Sequence, residues 1–445
     1  MVELITQLVK YLSIVLIGVY TYEGFAIFRY EDKIKKNRIL NRMYALMITI
    51  HVMLSAVLYV NTKDINFIFL YAGELLVFIV FQSIYHWIYP QINEIVMQHM
   101  MMLLMLGFVF LGRLSFDKAL RQVLISAVSL LLCLVVPIII DKFYSVRRLG
   151  YILSVAGIGL LAVVKVIGVE KYGAKNWIQV AGIELQPSEF VKIIFVFAMA
   201  GLLYEVYEFK QIIIPSALAA IHVLVLVVER DLGGALLFFI VYVAMLTVAT
   251  KNRWYMAIGL GAGSLAATIA YKAFSHVRVR VTAWQNPWAV IDSQGYQVTQ
   301  SLFAIGTGGW FGFGLYHGLP TSIPVVQSDF IFSAISEEMG AIFALCIILI
   351  CMSCFVMFIN ISMTMRDSFY KLVALGFSVL YAFQVFLNIG GVTKLIPSTG
   401  VTLPLISYGG SSLLSTIIIF SIIQGLYLVS SRVDRVQQKN MKKRK

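Results

Sequence analysis

Long apolar runs recur along the whole of this chain. Each run is about 18 to 25 residues long, which is the length an α-helix needs to cross the hydrocarbon core of a bilayer. Hydrophobic residues make up 60% of the sequence and charged residues only 13%. Since only helices and closed barrels satisfy every backbone group inside lipid, runs of this length predict an all-α polytopic membrane protein.

The apolar runs predict about thirteen membrane-spanning helices. The predicted spans are 4–28, 39–60, 65–89, 94–112, 119–141, 148–168, 187–205, 211–228, 233–249, 254–273, 330–360, 369–390 and 407–430. A polar cluster around Pro90 separates about three leading spans from about ten later ones. The predicted organisation is an N-terminal extension at 1–93, a core at 94–430 and a basic tail at 431–445.

Basic residues gather in segments that alternating spans place on one side of the membrane. Segment 29–38 carries five Lys or Arg, segment 142–148 carries three, and the 431–445 tail carries seven. The positive-inside rule makes this side cytoplasmic, which puts the N-terminus outside and the C-terminus inside. The net charge of +13 is therefore a topology signal and gives no argument for nucleic acid binding.

The longest polar interruption, residues 276–328, falls on the outer side and ends at Asp329. A carboxylate at the outer end of a membrane helix can reach a sugar in the aqueous layer while its helix fixes its position. Aspartate is also among the best residues for capping a helix N-terminus. Residue chemistry alone leaves both interpretations of Asp329 open.

Polar and glycine-rich motifs follow one another in the predicted core. In order they are GAKNWI at 173–178, QPSEFVKI at 186–193, DLGGA at 231–235, NPW at 286–288, GYQVTQSLFAIGTGGWFGFG at 295–314, SDFIFSAISEEMG at 328–340 and IPSTGVTLPLISYGGSS at 396–412. Their order and spacing resemble the SEDS family (shape, elongation, division and sporulation). The resemblance covers roughly residues 94–430.

The resemblance implies a SEDS-like core of ten helices with one large extracytoplasmic loop, preceded here by the extra N-terminal helices. It also implies a peptidoglycan glycosyltransferase that polymerises lipid II into glycan strands on the outer face of the bacterial cytoplasmic membrane, for division, elongation or sporulation. The implied partners are lipid II, the nascent glycan strand, a class B penicillin-binding protein transpeptidase and other divisome or elongasome membrane proteins.

Two other functions remain as alternatives. A flippase or other transporter of lipid-linked precursors would also show many spans and intramembrane ion pairs, but it would place its key charges near the bilayer midplane. A non-catalytic scaffold for a penicillin-binding protein would use the large loop only for docking. The carboxylate at the outer surface favours the polymerase.

The resemblance makes Asp329 the catalytic residue. Glycosyl transfer from a lipid pyrophosphate needs a general base for the acceptor hydroxyl and cations near the departing pyrophosphate. The family's usual Pro-Glu and His-Thr pairs upstream are replaced by Pro324-Val325 and Gln327-Ser328. The roles of those neighbours therefore do not carry over.

Seven further residues are candidates for binding the substrate. Glu189 and Lys192 lie three apart and share a helix face, and an ion pair inside a span marks either a functional site or a packing contact. Arg280 matches a basic position of the family's long loop and can hold a pyrophosphate bidentately, although a loop arginine is often only solvated. The others are Lys394, Gly308, Gly309 and Ser407.

Asp329 is also the candidate ligand for a divalent cation, Mg²⁺ or Mn²⁺, that bridges it to pyrophosphate oxygens. Mg²⁺ commonly binds through one or two carboxylates together with substrate phosphates. The glycine-rich stretch lacks the Lys-Ser/Thr ending of a P-loop, and the histidines lack zinc-ligand spacing. No organic cofactor is expected.

Overall fold

The computed structural model describes residues 1–140, 142–171, 174–180, 183–206 and 208–443. Regular structure in these residues is mostly α-helical. The helices are α1 (Val2–Ala26), α2 (Lys33–Thr62), α3 (Asn66–Ile88), α4 (Glu94–Leu114), α5 (Phe116–Cys133), α6 (Val136–Ile140), α7 (Gly150–Ile167), α8 (Ser188–Leu203), α9 (Phe209–Val228), α10 (Leu232–Thr250), α11 (Trp254–Ala273), α12 (Ser275–Gln285), α13 (Tyr296–Gly308), α14 (Ile331–Thr364), α15 (Ser368–Val392) and α16 (Gly410–Lys443).

In the described residues, eleven helical segments are long and apolar enough to cross a membrane, or twelve if α11 and α12 form one span bent by 104°. The predicted class of polytopic all-α membrane protein is confirmed. The sequence predicted about thirteen spans, and part of the difference is α8. This helix has 16 residues, fewer than the roughly 20 that cross a bilayer untilted. The N-terminal extension contributes three of the eleven, as expected.

A small antiparallel sheet occupies the segment between α7 and α8, which lies between two of the predicted spans. Its strands are β1 (Val169–Lys171), β2 (Ala174–Val180) and β3 (Ile183–Leu185), in the order β1-β2-β3. β2 pairs with both neighbours, with Trp177 opposite Val169 and Ile178 opposite Leu185. The outer strands have three residues each, too few for an alternating pattern to be read from sequence.

The chain forms two compact units. The first unit comprises Met1–Val128, Val279–Cys354 and Val385–Gly409. The second unit comprises Ser129–Arg278, Phe355–Gln384 and Gly410–Lys445.

In the first unit, the N-terminal extension packs into the core. Helix α4 is buried from Ile95 to Gly112. Gln98 on α4 donates from Nε2 to the Leu40 carbonyl on α2 at 3.0 Å. His99 joins Tyr20 Oη (3.1 Å, Nδ1) to Ser353 Oγ (2.9 Å, Nε2). Polar groups inside a membrane core need partners. These three side chains supply partners to one another and so link α1, α4 and α14.

In the second unit, aromatic side chains fill the spaces between helices. The rings of Phe195 on α8 and Phe238 on α10 lie 4.6 Å apart. Phe358 on α14 contacts Phe420 on α16 at 5.0 Å and Tyr381 on α15 at 5.4 Å. Tilted and edge-on contacts of this kind are the favoured arrangements of aromatic pairs.

The long polar interruption is partly helical, since it contains α12 and α13. The glycine-rich loop, residues 308–319, follows α13 and lies against α14 where that helix breaks at Gly340 (φ +82°). A side chain at Gly340 would place its Cβ 2.4 Å from the Gly312 nitrogen. Only glycine combines this left-handed conformation with so close an approach, and the break separates segment 331–339 from the rest of α14.

Candidate active site around Asp329

Asp329 lies just before α14, and its backbone is not the cap of that helix. The Phe330 carbonyl accepts the first helical hydrogen bonds, from the amides of Ser333 at 3.0 Å and Ala334 at 3.4 Å. An N-cap residue is the one whose carbonyl accepts the first such bond, so Phe330 has that position. The structure does not support the helix-cap interpretation of Asp329.

Two side chains hold the backbone at Asp329 in place. Asn388 Nδ2 on α15 donates to the Asp329 carbonyl at 2.8 Å and to the Val401 carbonyl at 2.7 Å. Ser407 Oγ donates to the Ser328 carbonyl at 2.5 Å. The predicted site residue Ser407 therefore fixes the residue before Asp329. Both contacts are made to backbone carbonyls and do not involve the Asp329 carboxylate.

The positive charge of Arg280 acts on the carboxyl group of Asp329 in this site. Burial raises the pKa of the Asp329 carboxyl, while Ser328 and the positive charge of Arg280 lower it in part, and the pKa stays above its usual value. Arg280 lies on α12, and its Nη1 donates to the Ser398 carbonyl at 3.1 Å. A Cβ at Gly400 would lie 3.5 Å from Asp329 Oδ2, so the 398–401 backbone passes close to the carboxylate.

Lys394 belongs to the same region through its backbone. Its carbonyl accepts from Trp284 Nε1 on α12 at 3.1 Å, and its φ of +61° marks a turn that ends α15. Together with the Arg280–Ser398 contact, this bond fixes α12 against segment 394–398. The structure thus brings Asp329, Arg280, Ser407 and the Lys394 segment together.

Two polar groups near the site were missed by the sequence analysis. Asn388 is 3% exposed, and among the described residues neither its Oδ1 nor Thr399 Oγ1 has a hydrogen-bond partner although both are buried. Buried polar atoms without partners are unfavourable, so a polar ligand at this place would find acceptors ready. The signal for Asn388 was an amide inside a predicted span, which marks a functional candidate.

Gly308 and Gly309 pack against α14 on both sides of its break. A Cβ at Gly308 would lie 2.3 Å from the Ser336 carbonyl oxygen, and the Gly309 carbonyl accepts from the Ala341 amide at 2.8 Å. The structure gives both residues a packing reason. Their predicted contact with the substrate stays a prediction.

The glycine-rich loop is tied to α14 by two buried carboxylates. Glu338 Oε1 accepts from Arg113 Nε at 2.9 Å and from the Tyr316 amide at 3.0 Å. Glu337 Oε1 accepts from the Leu319 amide at 3.0 Å. Bonds to an ionised acceptor are stronger than neutral ones, so the loop and segment 331–339 form one hydrogen-bonded assembly.

The predicted ion pair of Glu189 and Lys192 is present at the start of α8, within the second unit. Lys192 Nζ lies 2.5 Å from Glu189 Oε2 and 3.1 Å from Gln384 Oε1. Ser415 Oγ on α16 donates to Glu189 Oε2 at 2.8 Å. With side-chain exposures of 3% for Lys192 and 15% for Glu189, the pair has substituted protein partners for water.

A family model described as "Cell cycle protein", covering FtsW, RodA and SpoVE, matches residues 95–431. The chain belongs to this family. The family predicted from the motifs is thereby confirmed, and α1 to α3 lie outside the matched segment.

Sequence relatives and a solved structure of similar fold support the same family. The chain is similar to the peptidoglycan glycosyltransferase RodA of Mycobacterium tuberculosis strain H37Rv, with 35% identity over 353 residues, 74% of each chain. It is similar to the stage V sporulation protein E of Bacillus subtilis strain 168, with 32% identity over 72% of this chain and 88% of that one. A solved structure of a peptidoglycan synthase complex covers 77% of this chain and 99% of its own, with TM-score 0.65 and 24% identity, which shows the same fold.

The raised pKa of Asp329 makes two measurable pH effects. If its carboxylate is the base, activity falls as pH decreases through the pKa, and Arg280→Gln should move this acid limb of kcat/KM to higher pH because a charge that lowers the pKa is removed. A limb that stays in place would contradict the electrostatic link between the two residues.

The stability of the folded protein should change with pH in the direction opposite to activity. Folding favours the protonated form of a carboxyl whose pKa is raised. The stability that this group contributes in the wild type is fully present below about pH 4, the pKa of an exposed aspartate. It is lost as pH rises through the raised pKa. Asp329→Asn should therefore be more stable relative to wild type at pH 8 than at pH 4, as measured by thermal unfolding.

Removing one partner of the buried pair should be costly. Lys192→Ala leaves Glu189 without its cation and should lower the free energy of unfolding by about 3 kcal/mol, while Lys210→Ala at an exposed position should stay within about 0.5 kcal/mol. The double variant Glu189→Gln/Lys192→Met should recover stability but not glycan synthesis. Recovery of both would reduce the pair to a packing contact.

Proposed function

We propose that this chain is a peptidoglycan glycosyltransferase that polymerises lipid II into glycan strands, with Asp329 as general base. The observation that carries the proposal is the partly buried carboxylate of Asp329 beside Arg280, on a backbone clamped by Asn388 and Ser407. The names of its relatives in the family support the same activity. It serves division, elongation or sporulation.

The proposed reaction is a displacement at the anomeric carbon of a sugar carried on a lipid pyrophosphate. Asp329 takes the proton of the acceptor hydroxyl as that oxygen forms the new glycosidic bond. The bond from the anomeric carbon to the pyrophosphate breaks, and the lipid pyrophosphate leaves with the bonding electrons. A base with a raised pKa is suited to this step, because a general base works best when its pKa lies near the working pH.

Cations around the site have two roles in the proposal. Arg280 stabilises the charge that develops on the departing pyrophosphate and also moderates the pKa of Asp329. Lys394, on the segment that α12 holds, is a second candidate for the pyrophosphate. Glu189 and Lys192 are proposed as further substrate contacts, in which a polar headgroup would exchange hydrogen bonds with the pair.

A divalent cation, Mg²⁺ or Mn²⁺, fits Asp329 only together with the substrate. In the described part of the chain, no group of three or more His, Cys, Asp or Glu residues is placed to hold a metal. A single carboxylate binds Mg²⁺ when substrate phosphates and water complete its octahedral shell. When bound in this way the ion would neutralise pyrophosphate charge.

The proposed protein partner is a class B penicillin-binding protein transpeptidase. The solved synthase complex of similar fold couples polymerisation with crosslinking. A glycan polymerase needs a transpeptidase close by, because its product is crosslinked through the attached peptides. Other divisome or elongasome membrane proteins are proposed as further partners.

The function is tested with purified full-length protein and purified lipid II, with and without the transpeptidase partner. Asp329→Asn should reduce glycan synthesis at least about 100-fold, the contribution expected of a general base. Asp292→Asn, a matched change at an exposed position of the same polar region, should keep wild-type activity. Glycan synthesis that survives in Asp329→Asn at more than a few per cent would exclude the base, and synthesis supplied only by the partner would favour a scaffold.

The proposed topology places the N-terminus outside the cell and the C-terminus in the cytoplasm. It is supported by the basic segment 29–38 and by the contact of the first turns of α1 with the glycine-rich loop. In a cysteine-free background, cysteines at positions 63 and 293 should react with an impermeant thiol reagent in intact cells, and one at 36 should not. Labelling at 36, or none at 293, would overturn this orientation.

A further inference from the structure

Helix α1 contacts the glycine-rich loop through its first turns, within the first unit. Lys10 Nζ donates to the Gly312 carbonyl at 3.0 Å, and Gln7 Nε2 donates to the Phe313 carbonyl at 2.8 Å. The Tyr11 ring lies 5.8 Å from the Phe311 ring. Three side chains of α1 thus contact three consecutive residues of the loop.

Lys10 is unusual because it is a buried ammonium in an apolar helix. Its residue is 5% exposed, and it lies 4.4 Å from the centroid of the Tyr11 ring. A charge inside a membrane protein is expensive and marks a functional position by default. The Gly312 carbonyl and the Tyr11 ring are the groups that replace water around it.

The part of the loop that α1 holds is the part that is bonded to α14. The amide of Phe313 donates to the Glu337 carbonyl at 3.1 Å, and the amide of Gly314 donates to the Glu338 carbonyl at 2.7 Å. A Cβ at Gly312 would lie 2.3 Å from the Glu338 carbonyl oxygen. Carbonyls of residues 312 and 313 therefore face α1, while the neighbouring backbone lies against α14.

Segment 331–339 connects this contact to Asp329. The segment is separated from the rest of α14 by the break at Gly340, so its position depends on the groups that pack around it. The glycine-rich loop holds it at residues 337 and 338, and Asp329 precedes its first turn. A shift of the loop would therefore be transmitted to the start of segment 331–339, directly next to Asp329.

We infer that α1 is an intramolecular positioning helix, in which Lys10 and Gln7 hold the glycine-rich loop against segment 331–339 and thereby fix Asp329 for catalysis. The inference rests on the proposed function for its effect on activity. Helix α1 lies outside the segment that the family model matches, which begins at residue 95. The N-terminal extension is thus an added part of this chain that acts on a loop of the family core.

The test compares full-length variants by hydrogen exchange and by glycan synthesis from lipid II. Lys10→Met should speed amide exchange in peptides from 308–319 by about tenfold or more, with no change in peptides from 410–432. It should lower kcat by about tenfold, because small misplacements of a catalytic group reduce rate steeply, and leave KM for lipid II within about twofold. Lys10→Arg, which can donate to the same carbonyl, should restore both.

Lys33→Met is the matched control, because it removes an exposed lysine at the start of α2 and should change neither measurement. Gln7→Leu is the second variant. It removes one hydrogen bond at a more exposed contact than that of Lys10, so it stays folded if Lys10→Met does not, and its faster exchange should be confined to the same loop peptides.

Wild-type loop exchange in the folded variants would overturn the contact, and faster exchange with unchanged kcat would overturn its role in positioning. A loss of activity that Lys10→Arg does not recover would also contradict the inference. If the wild-type protein makes no glycan, the proposed function fails, and the exchange measurement still decides whether α1 holds the loop.

Discussion

The ion pair between Arg113 and Glu338 joins the parts of the first unit on which the candidate site depends. The Glu338 carboxylate is 1% exposed and lies 2.9 Å from Arg113 Nε, and a buried carboxylate is tolerated only with such partners. The same oxygen accepts from the Tyr316 amide, so the pair also fixes the glycine-rich loop. Segment 331–339 is thereby held in position although α14 breaks just after it.

The site combines a rigid backbone with a chemically available side chain. Asn388 and Ser407 come from different segments of the chain and bind the carbonyls of Asp329 and Ser328. Their contacts fix the backbone from which the carboxylate extends. Burial raises the pKa of the carboxyl group above that of an exposed aspartate. Preorganisation of this kind lets a catalytic group act without first being ordered by the substrate.

The N-terminal extension is part of the first unit's packing. The sequence predicted its three spans from the apolar runs alone, because the length of such a run is a local property. What the spans contact was not predictable. The buried chain from Tyr20 through His99 to Ser353 and the bond from Lys10 to Gly312 join residues that lie hundreds of positions apart or on separate helices.

The sequence by itself determined the membrane class, the family and the ion pair of Glu189 and Lys192, because run length, motif order and an (i, i+3) spacing are all local patterns. It also singled out Asp329, but left open whether that residue caps a helix. The tertiary structure decided this question by placing the start of α14 at Ile331 and by bringing Asn388, 59 positions later, onto the Asp329 carbonyl. It also formed strands too short to be read from alternation. Contacts between distant segments depend on how helices pack, and no local pattern encodes that packing.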